Sequence, residues 1–220
     1  MTTLASELET TTAAVREQAP ATALAAIEAA NRRLAESGLT DRALHAGQPA
    51  PDFVLADATG RPVDSRQLRS RGPLVISFYR GAWCPYCNLE LQAWQRHLAA
   101  LDALGATLVA ISPQTPDASL TLAQKHALAY PVLSDIGHRV ARRFGIVYEV
   151  DEALRPVYQA FGVDLPAYNG DASFELPVPA TYLVDRDGII AGEWIDTDYR
   201  RRAEPAVVLS RLREIPEVRA

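Results

Sequence analysis

The chain is short of cysteine, and that shortage is the first constraint on its chemistry. Two cysteines, Cys84 and Cys87, occur among 220 residues, and they form a single CxxC. A pair this close cannot staple a fold, and random placement would give this spacing in roughly 1% of cases. No second CxxC exists, and His45, His97, His126 and His138 form no HxxxH or HxH pair, so a four-ligand structural zinc site lacks its ligands. No run of about eighteen apolar residues occurs, which excludes a membrane-spanning helix. A basic excess is missing too: 27 acidic against 22 basic residues leave a formal charge of −5, the wrong sign for a non-specific nucleic-acid binder. The brief Arg200-Arg201-Arg202 run does not reverse this. The opening residues, MTTLASELETTT, lack the basic and apolar regions of a secretory signal, so the expected location is the cytoplasm. In such a reducing compartment a lone CxxC reads as redox-active rather than structural.

What is present suits a soluble domain that can bury a core, with 48% hydrophobic and 22% charged residues. Residues 1–46 read as a helical extension. Leu24, Ile27, Asn31 and Leu34 keep a helical spacing, Pro20 separates this helix from an earlier one, and Ser37-Gly38 is a stop. One narrow apolar stripe suits an arm packed on the main domain, or a homodimer contact. The composition changes around Gly47-Gln48-Pro49-Ala50-Pro51, and the second domain is expected over 47–220.

Strands and helices then alternate. Phe53 to Leu55 reads as a short strand, and Leu74 to Tyr79 as a central buried one. Leu89 to Leu104 is a helix with Leu91, Trp94, Leu98 and Leu101 on one face. Thr107 to Ile111 is a strand, and Thr115-Pro116-Asp117 opens a helix with a hydroxyl cap. Pro131 to Leu133 is a brief strand, and Arg139 to Phe144 a helix stopped by Gly145. Residues 146–176 look irregular, with a helical insertion carrying Leu154, Val157, Tyr158 and Phe161. Thr181 to Val184 and Ile189 to Trp194 pair through Asp187-Gly188, and Glu204 to Arg213 is a terminal helix. The expected class is α/β, a central mixed β-sheet flanked by helices.

The CxxC lies directly after the central strand and at the start of the long helix. Free N–H groups and the helix dipole there favour thiolate over thiol, lowering a cysteine pKa from about 8.5 to between roughly 3.5 and 7.5. Thiolate is the nucleophile. Arg80 would add positive charge beside it; its plainer reading is a solvated arginine. Trp83 is expected over the thiolate or in the core. The scattered histidines read as solvated or capping. Asp196, Asp198 and Tyr199 read as a solvated loop, and Tyr168-Asn169-Gly170-Asp171 as a segment near the site entrance by position alone.

The stretch Phe78-Tyr79-Arg80-Gly81-Ala82-Trp83-Cys84-Pro85-Tyr86-Cys87-Asn88-Leu89-Glu90 resembles the active-site segment of peroxiredoxins, the alkyl hydroperoxide reductase and thiol-specific antioxidant (AhpC/TSA) family. In that register Cys87 takes the peroxidatic position and Glu90 the acidic one. Trp83-Cys84-Pro85-Tyr86-Cys87 also resembles the CxxC of thioredoxin and glutaredoxin. Ala50-Pro51-Asp52-Phe53 at the entry and the run Val178 to Gly188 extend the resemblance over roughly residues 47 to 215. The latter looks like the thioredoxin-fold stretch that holds the family's cis proline. The resemblance implies a thioredoxin-like fold. Three positions depart from the pattern: Arg80 stands for the family's proline, Cys84 for its active-site threonine, and Pro179 for its second catalytic arginine.

What the resemblance implies is a thiol-dependent peroxidase of a CxxC-bearing subgroup, reducing hydrogen peroxide and organic hydroperoxides through a cysteine sulfenic acid. A Cys84–Cys87 disulfide would follow, recycled by a thioredoxin- or glutaredoxin-type dithiol, with no metal, flavin or nucleotide. The peroxiredoxin register favours Cys87 for the attack. The thioredoxin reading reverses the roles, making Cys84 the nucleophile and Cys87 the resolver. Two further classes stay open: a thiol–disulfide oxidoreductase acting on protein disulfides, and a non-enzymatic redox sensor. The candidate catalytic residues are Cys87, Cys84 and Arg80, supported by Trp83, Pro85, Tyr86, Glu90 and Pro179.

Overall fold

The computed structural model describes residues 2–215; residues 216–220, the end of the expected second domain, lie outside them. Pro20 divides the N-terminal segment as its chemistry demands, since proline brings no N–H to continue the helix before it. Helix α1 (Leu4–Gln18) precedes it and α2 (Ala21–Glu36) follows. Gly38, left-handed at φ 67°, ends the second and leads into α3 (Leu39–Arg42). The arm is packed on the rest of the chain. Leu4 and Leu8 are buried in one core with Trp94 and Leu209, and Ile27 and Ala30 in another with Leu154 and Leu165.

Strands β1 (Val54–Asp57) and β2 (Pro62–Asp64) form a hairpin, followed by α4 (Ser65–Arg69). The crossovers run β3 (Leu74–Phe78), α5 (Pro85–Asp102), β4 (Thr107–Ser112), α6 (Pro116–Lys125) and β5 (Val132–Ser134). After α7 (Arg139–Arg143) come β6 (Val147–Glu149), α8 (Arg155–Ala160), α9 (Leu165–Asn169) and β7 (Glu175–Pro177). The chain then closes with β8 (Ala180–Val184), β9 (Ile190–Ile195) and α10 (Pro205–Leu212). The main sheet has the order β2-β1-β5-β4-β3-β8-β9. Its centre, β3–β4–β5, is parallel, while β8 runs antiparallel to both β3 and β9. This is the mixed α/β architecture expected.

Strand β3 is buried on both faces, which is why it reads as a continuous apolar run. Val75 joins the core containing Leu91, Trp94 and Leu101 of α5. Leu74, Ile76 and Phe78 join the opposite core with Phe144 and Tyr182. Phe144 is the hub there, its ring 5.0 Å from that of Phe78 and 4.7 Å from that of Tyr182.

Several expectations need correction. Helix α5 begins at Pro85, a turn before Leu89, because its first turn is spent on the CxxC and shows no apolar period. Thr115 sits at the N-cap of α6 without a side-chain cap bond. Residues 146–176 are not irregular: β6 and β7 pair antiparallel, three residues each, too short for alternation to show. No peptide bond among the described residues is cis, so Val178–Pro179 is trans, unlike the stretch it resembles.

Candidate active site

The site is assembled where β3 hands over to α5. Tyr79 still donates its N–H to Ile111 O at 3.0 Å, after which the chain leaves the sheet. The loop is pinned from both sides of Ala82: its N–H donates to Gln114 Oε1 (2.7 Å), and Asn88 Nδ2 donates to its carbonyl (2.9 Å). Gly81 is required by close approach, since a Cβ there would lie 2.4 Å from Trp83 Nε1. Cys84 then takes the N-cap of α5 with extended backbone, and Pro85 the first turn, where a missing N–H costs nothing. Cys87 lies one turn further in. Both cysteines are free and fully buried.

Two buried guanidiniums serve the two sulfurs, and their surroundings differ. Arg80 Nη2 donates to Cys84 Sγ at 3.1 Å, and Nη1 donates to Tyr158 Oη at 3.2 Å. The Tyr199 ring lies under this guanidinium at 3.9 Å and the Trp83 ring at 5.0 Å. No carboxylate pairs with Arg80 among the described residues. Arg202 Nη2 donates to Cys87 Sγ at 3.3 Å, but its Nη1 is bound to the carboxylate of Glu90, and this ion pair is almost wholly buried. Ser77 Oγ and Thr181 Oγ1 donate to the other Glu90 oxygen at 3.4 and 3.5 Å.

The charge count decides the protonation state. Two guanidiniums and one carboxylate leave one positive charge uncompensated in a dry interior, where an isolated charge is costly. One thiolate balances it. Burial raises a thiol pKa, yet the bond from the Cys87 thiol and the charges of Arg80 and Arg202 outweigh burial at Cys84 and hold it well below the ordinary range. Burial pushes Cys87 well up, and its bond to Cys84 and the negative charge there push it further. Burial also raises Glu90, against the opposing pull of Arg202. These directions favour a Cys84 thiolate beside a Cys87 thiol.

All eight sequence-derived candidates come together here. Pro85 starts the helix. Tyr86 is buried, edge-on to Tyr199 at 5.3 Å. Trp83 packs beside Tyr158 at 5.4 Å, its ring centre 5.0 Å from the Arg80 guanidinium, against the core that holds both cysteines. Glu90 and Pro179 line a small cavity of about 180 Å³ with Thr181 and Arg202. A larger one of about 410 Å³ reaches Arg80 between α1, α2 and α8, walled by Trp83, Tyr86, Tyr158, Phe161 and Tyr199.

Arg80 is buried, not solvated. Tyr199 is half-buried against it, so the reading of 196–199 as a plain solvated loop fails there. His138 is likewise buried. The segment 168–171 is tied to α6 and β7, through Tyr168 O accepting from Thr115 N–H and Asn169 Nδ2 donating to Glu175 O.

Sequence reasoning missed Arg202, Tyr158 and Tyr199. The place of the family's second arginine is empty at Pro179, and Arg202 brings a guanidinium to Cys87 from beyond β9. The Arg200-Arg201-Arg202 run was the only local signal of it. Among the described residues no cluster of three or more His, Cys, Asp or Glu could hold a metal ion. No helix among them is long and apolar enough to cross a membrane.

Comparison with known proteins gives the family and the fold. The AhpC/TSA family model matches residues 46–192. Chloroplastic peroxiredoxin Q of Triticum aestivum is 26% identical over 173 residues, 79% of this chain and 69% of the relative. That of Arabidopsis thaliana is 28% identical over 153 residues, 70% of this chain but 60% of the relative. Among solved structures, peroxidoxin BcpB from Mycobacterium tuberculosis superposes with a TM-score of 0.62 at 24% identity, covering 78% of this chain and 98% of that one. The fold is thus thioredoxin-like.

Proposed function

The chain belongs to the AhpC/TSA family and is an oxidoreductase of the peroxiredoxin type, and on that premise we propose that it reduces hydroperoxides with Cys84 as the attacking thiolate. One observation carries the choice of sulfur: Arg80, buried and without a carboxylate among the described residues, has Cys84 as its counter-charge, whereas Arg202 beside Cys87 is already neutralised by Glu90. This reverses the order that the family register favours.

The Cys84 thiolate attacks the terminal peroxide oxygen. The S–O bond forms as O–O breaks, sulfur becomes sulfenic acid, and water or an alcohol departs. The Cys87 thiol, in the first turn of the helix that Cys84 caps, condenses with the sulfenic acid, releasing water and forming the Cys84–Cys87 disulfide. A thioredoxin- or glutaredoxin-type dithiol then reduces that disulfide by thiolate attack. Free cysteines and a reducible CxxC suit a reducing compartment such as the cytoplasm.

Peroxide consumption by the reduced protein, followed with intact mass, tests this. Cys84→Ser should stop consumption. Cys87→Ser should react once and gain the mass of one oxygen. If Cys87→Ser is dead and Cys84→Ser gains the oxygen, Cys87 is the attacker and the charge count has been misread. If the wild type consumes peroxide no faster than a free thiol, peroxidase activity is refuted, and the CxxC belongs to disulfide exchange or sensing.

A further inference from the structure

When a thiolate opens a hydroperoxide, the leaving oxygen departs as hydroxide or alkoxide, a strong base whose conjugate acid is about as weak as water. A buried site must supply a proton at that moment. The family pattern has a threonine where this chain has Cys84, so position 84 offers no hydroxyl here.

Building on the Cys84 reading, we propose that Tyr158 is a catalytic residue, the general acid that protonates the departing oxygen. Arg80 is a two-armed fork, with the Cys84 sulfur on one arm at 3.1 Å and the Tyr158 oxygen on the other at 3.2 Å. Tyr158 Oη accepts from the guanidinium, which leaves its own proton free to donate. Tyr158 lines the 410 Å³ cavity that reaches Arg80, so its hydroxyl lies on the side of the guanidinium from which a peroxide can approach. Tyr199 cannot substitute, because it offers Arg80 its ring face. Burial raises the Tyr158 phenol above its ordinary range, so the proton is in place at neutral pH.

The charges also close. Before attack the counter-charge of Arg80 is the thiolate. Attack makes the sulfur neutral, as S–OH, and expels the alkoxide. The alkoxide takes the phenol proton and leaves as alcohol, and the resulting phenolate already accepts a bond from Arg80. Negative charge passes from one arm of the fork to the other, and the guanidinium is never left bare. Water then returns the proton to the phenolate.

The test varies the leaving group. With tert-butyl hydroperoxide the leaving group is an alkoxide, and with peroxyacetic acid it is acetate, which needs no proton. Tyr158→Phe keeps the ring beside Trp83 and should slow tert-butyl hydroperoxide reduction by about 100-fold or more. Peroxyacetic acid reduction should stay within a few-fold of wild type, as should the thiolate titration of Cys84 by absorbance. Equal loss with both peroxides, or a raised Cys84 pKa that accounts for the loss, would make Tyr158 only a positioning residue for Arg80 and overturn the proposal. No loss with either would overturn it too. A second measurement needs no variant: the wild type should show a solvent isotope effect on the attack step with the alkyl peroxide and none with the peroxyacid. A wild type inert to both peroxides refutes peroxidase activity itself, a separate failure.

Discussion

The guanidinium of Arg80 and the sulfur of Cys84 are held 3.1 Å apart in a fully buried site, and among the described residues neither has a carboxylate partner. The arginine sits where the family pattern has a proline, and the cysteine where it has a threonine. The two departures are therefore one change. A helix N-terminus that would otherwise carry a neutral hydroxyl carries a thiolate, and the arginine supplies the charge that makes the thiolate stable.

Arg80→Met should let the Cys84 pKa climb toward the ordinary thiol value of about 8.5. At pH 7 the alkylation rate of Cys84 by iodoacetamide should fall by about tenfold or more. Arg80→Lys should fall between the two, retaining the charge but not the fork that holds sulfur and phenol together.

The same depressed pKa predicts a stability slope. Unfolded, Cys84 titrates near 8.5; folded, it titrates well below. Cys84 thus contributes stability that is complete by about pH 8.5 and is lost as pH falls through its folded-state value, while the raised Cys87 takes stability back only above about pH 8.5. Urea denaturation of the reduced protein across this range should show that decline, and Cys84→Ser should lack it.

Arg202→Met strands the Glu90 carboxylate in the core without its partner. Breaking a pair that is about 1% exposed on each side should cost about 3–5 kcal/mol. Adding Glu90→Leu should recover much of that, because the stranded charge rather than the missing bond is the main penalty. Chemical denaturation of the two variants checks it.

Gly81→Ala places a methyl 2.4 Å from Trp83 Nε1 and must displace the indole. A loss of about 1–3 kcal/mol is expected from the overpacking. The Trp83 shift also disturbs the floor under Arg80, so slower Cys84 alkylation should accompany the lower Tm.

Leu8→Ala opens a hole in the core that α1 shares with Trp94 and should cost about 2–5 kcal/mol. An unchanged Tm would mean that α1 is not packed in solution as it is here.

Reading the chain alone located what is local. The apolar run of β3, the CxxC at the mouth of α5, the Asp187-Gly188 hairpin and the Pro20 break each announce themselves within a few residues. The catalytic surroundings do not. Tyr158 reaches Arg80 from 78 positions away, and Arg202 reaches Cys87 from 115. The arginine triplet shows why such contacts stay hidden. Arg200 folds back on Asp198, Arg201 points to solvent beside Asp196, and Arg202 enters the core. Three identical letters have three fates, because Asp198 turns the backbone there and accepts from Arg200 N–H and, at its carbonyl, from Arg201 N–H. Composition counts charges but says nothing of the direction in which a loop aims them.

Helix α1 ends its own first turn on the far end of the chain: Ala5 N–H donates to Glu204 Oε1 at 2.6 Å, and Leu4 and Leu8 pack with Val208 and Leu212 of α10. The two ends of that bond are 199 positions apart, so this part of the seat of α1 is complete only when α10 is in place. Ring closure over such a span carries a large entropic toll. Val15 and Ala19 of this arm also wall the cavity above Arg80. The roof of the reactive chamber therefore rests on a helix that is anchored at both α5 and α10, and loosening either anchor uncovers the thiols.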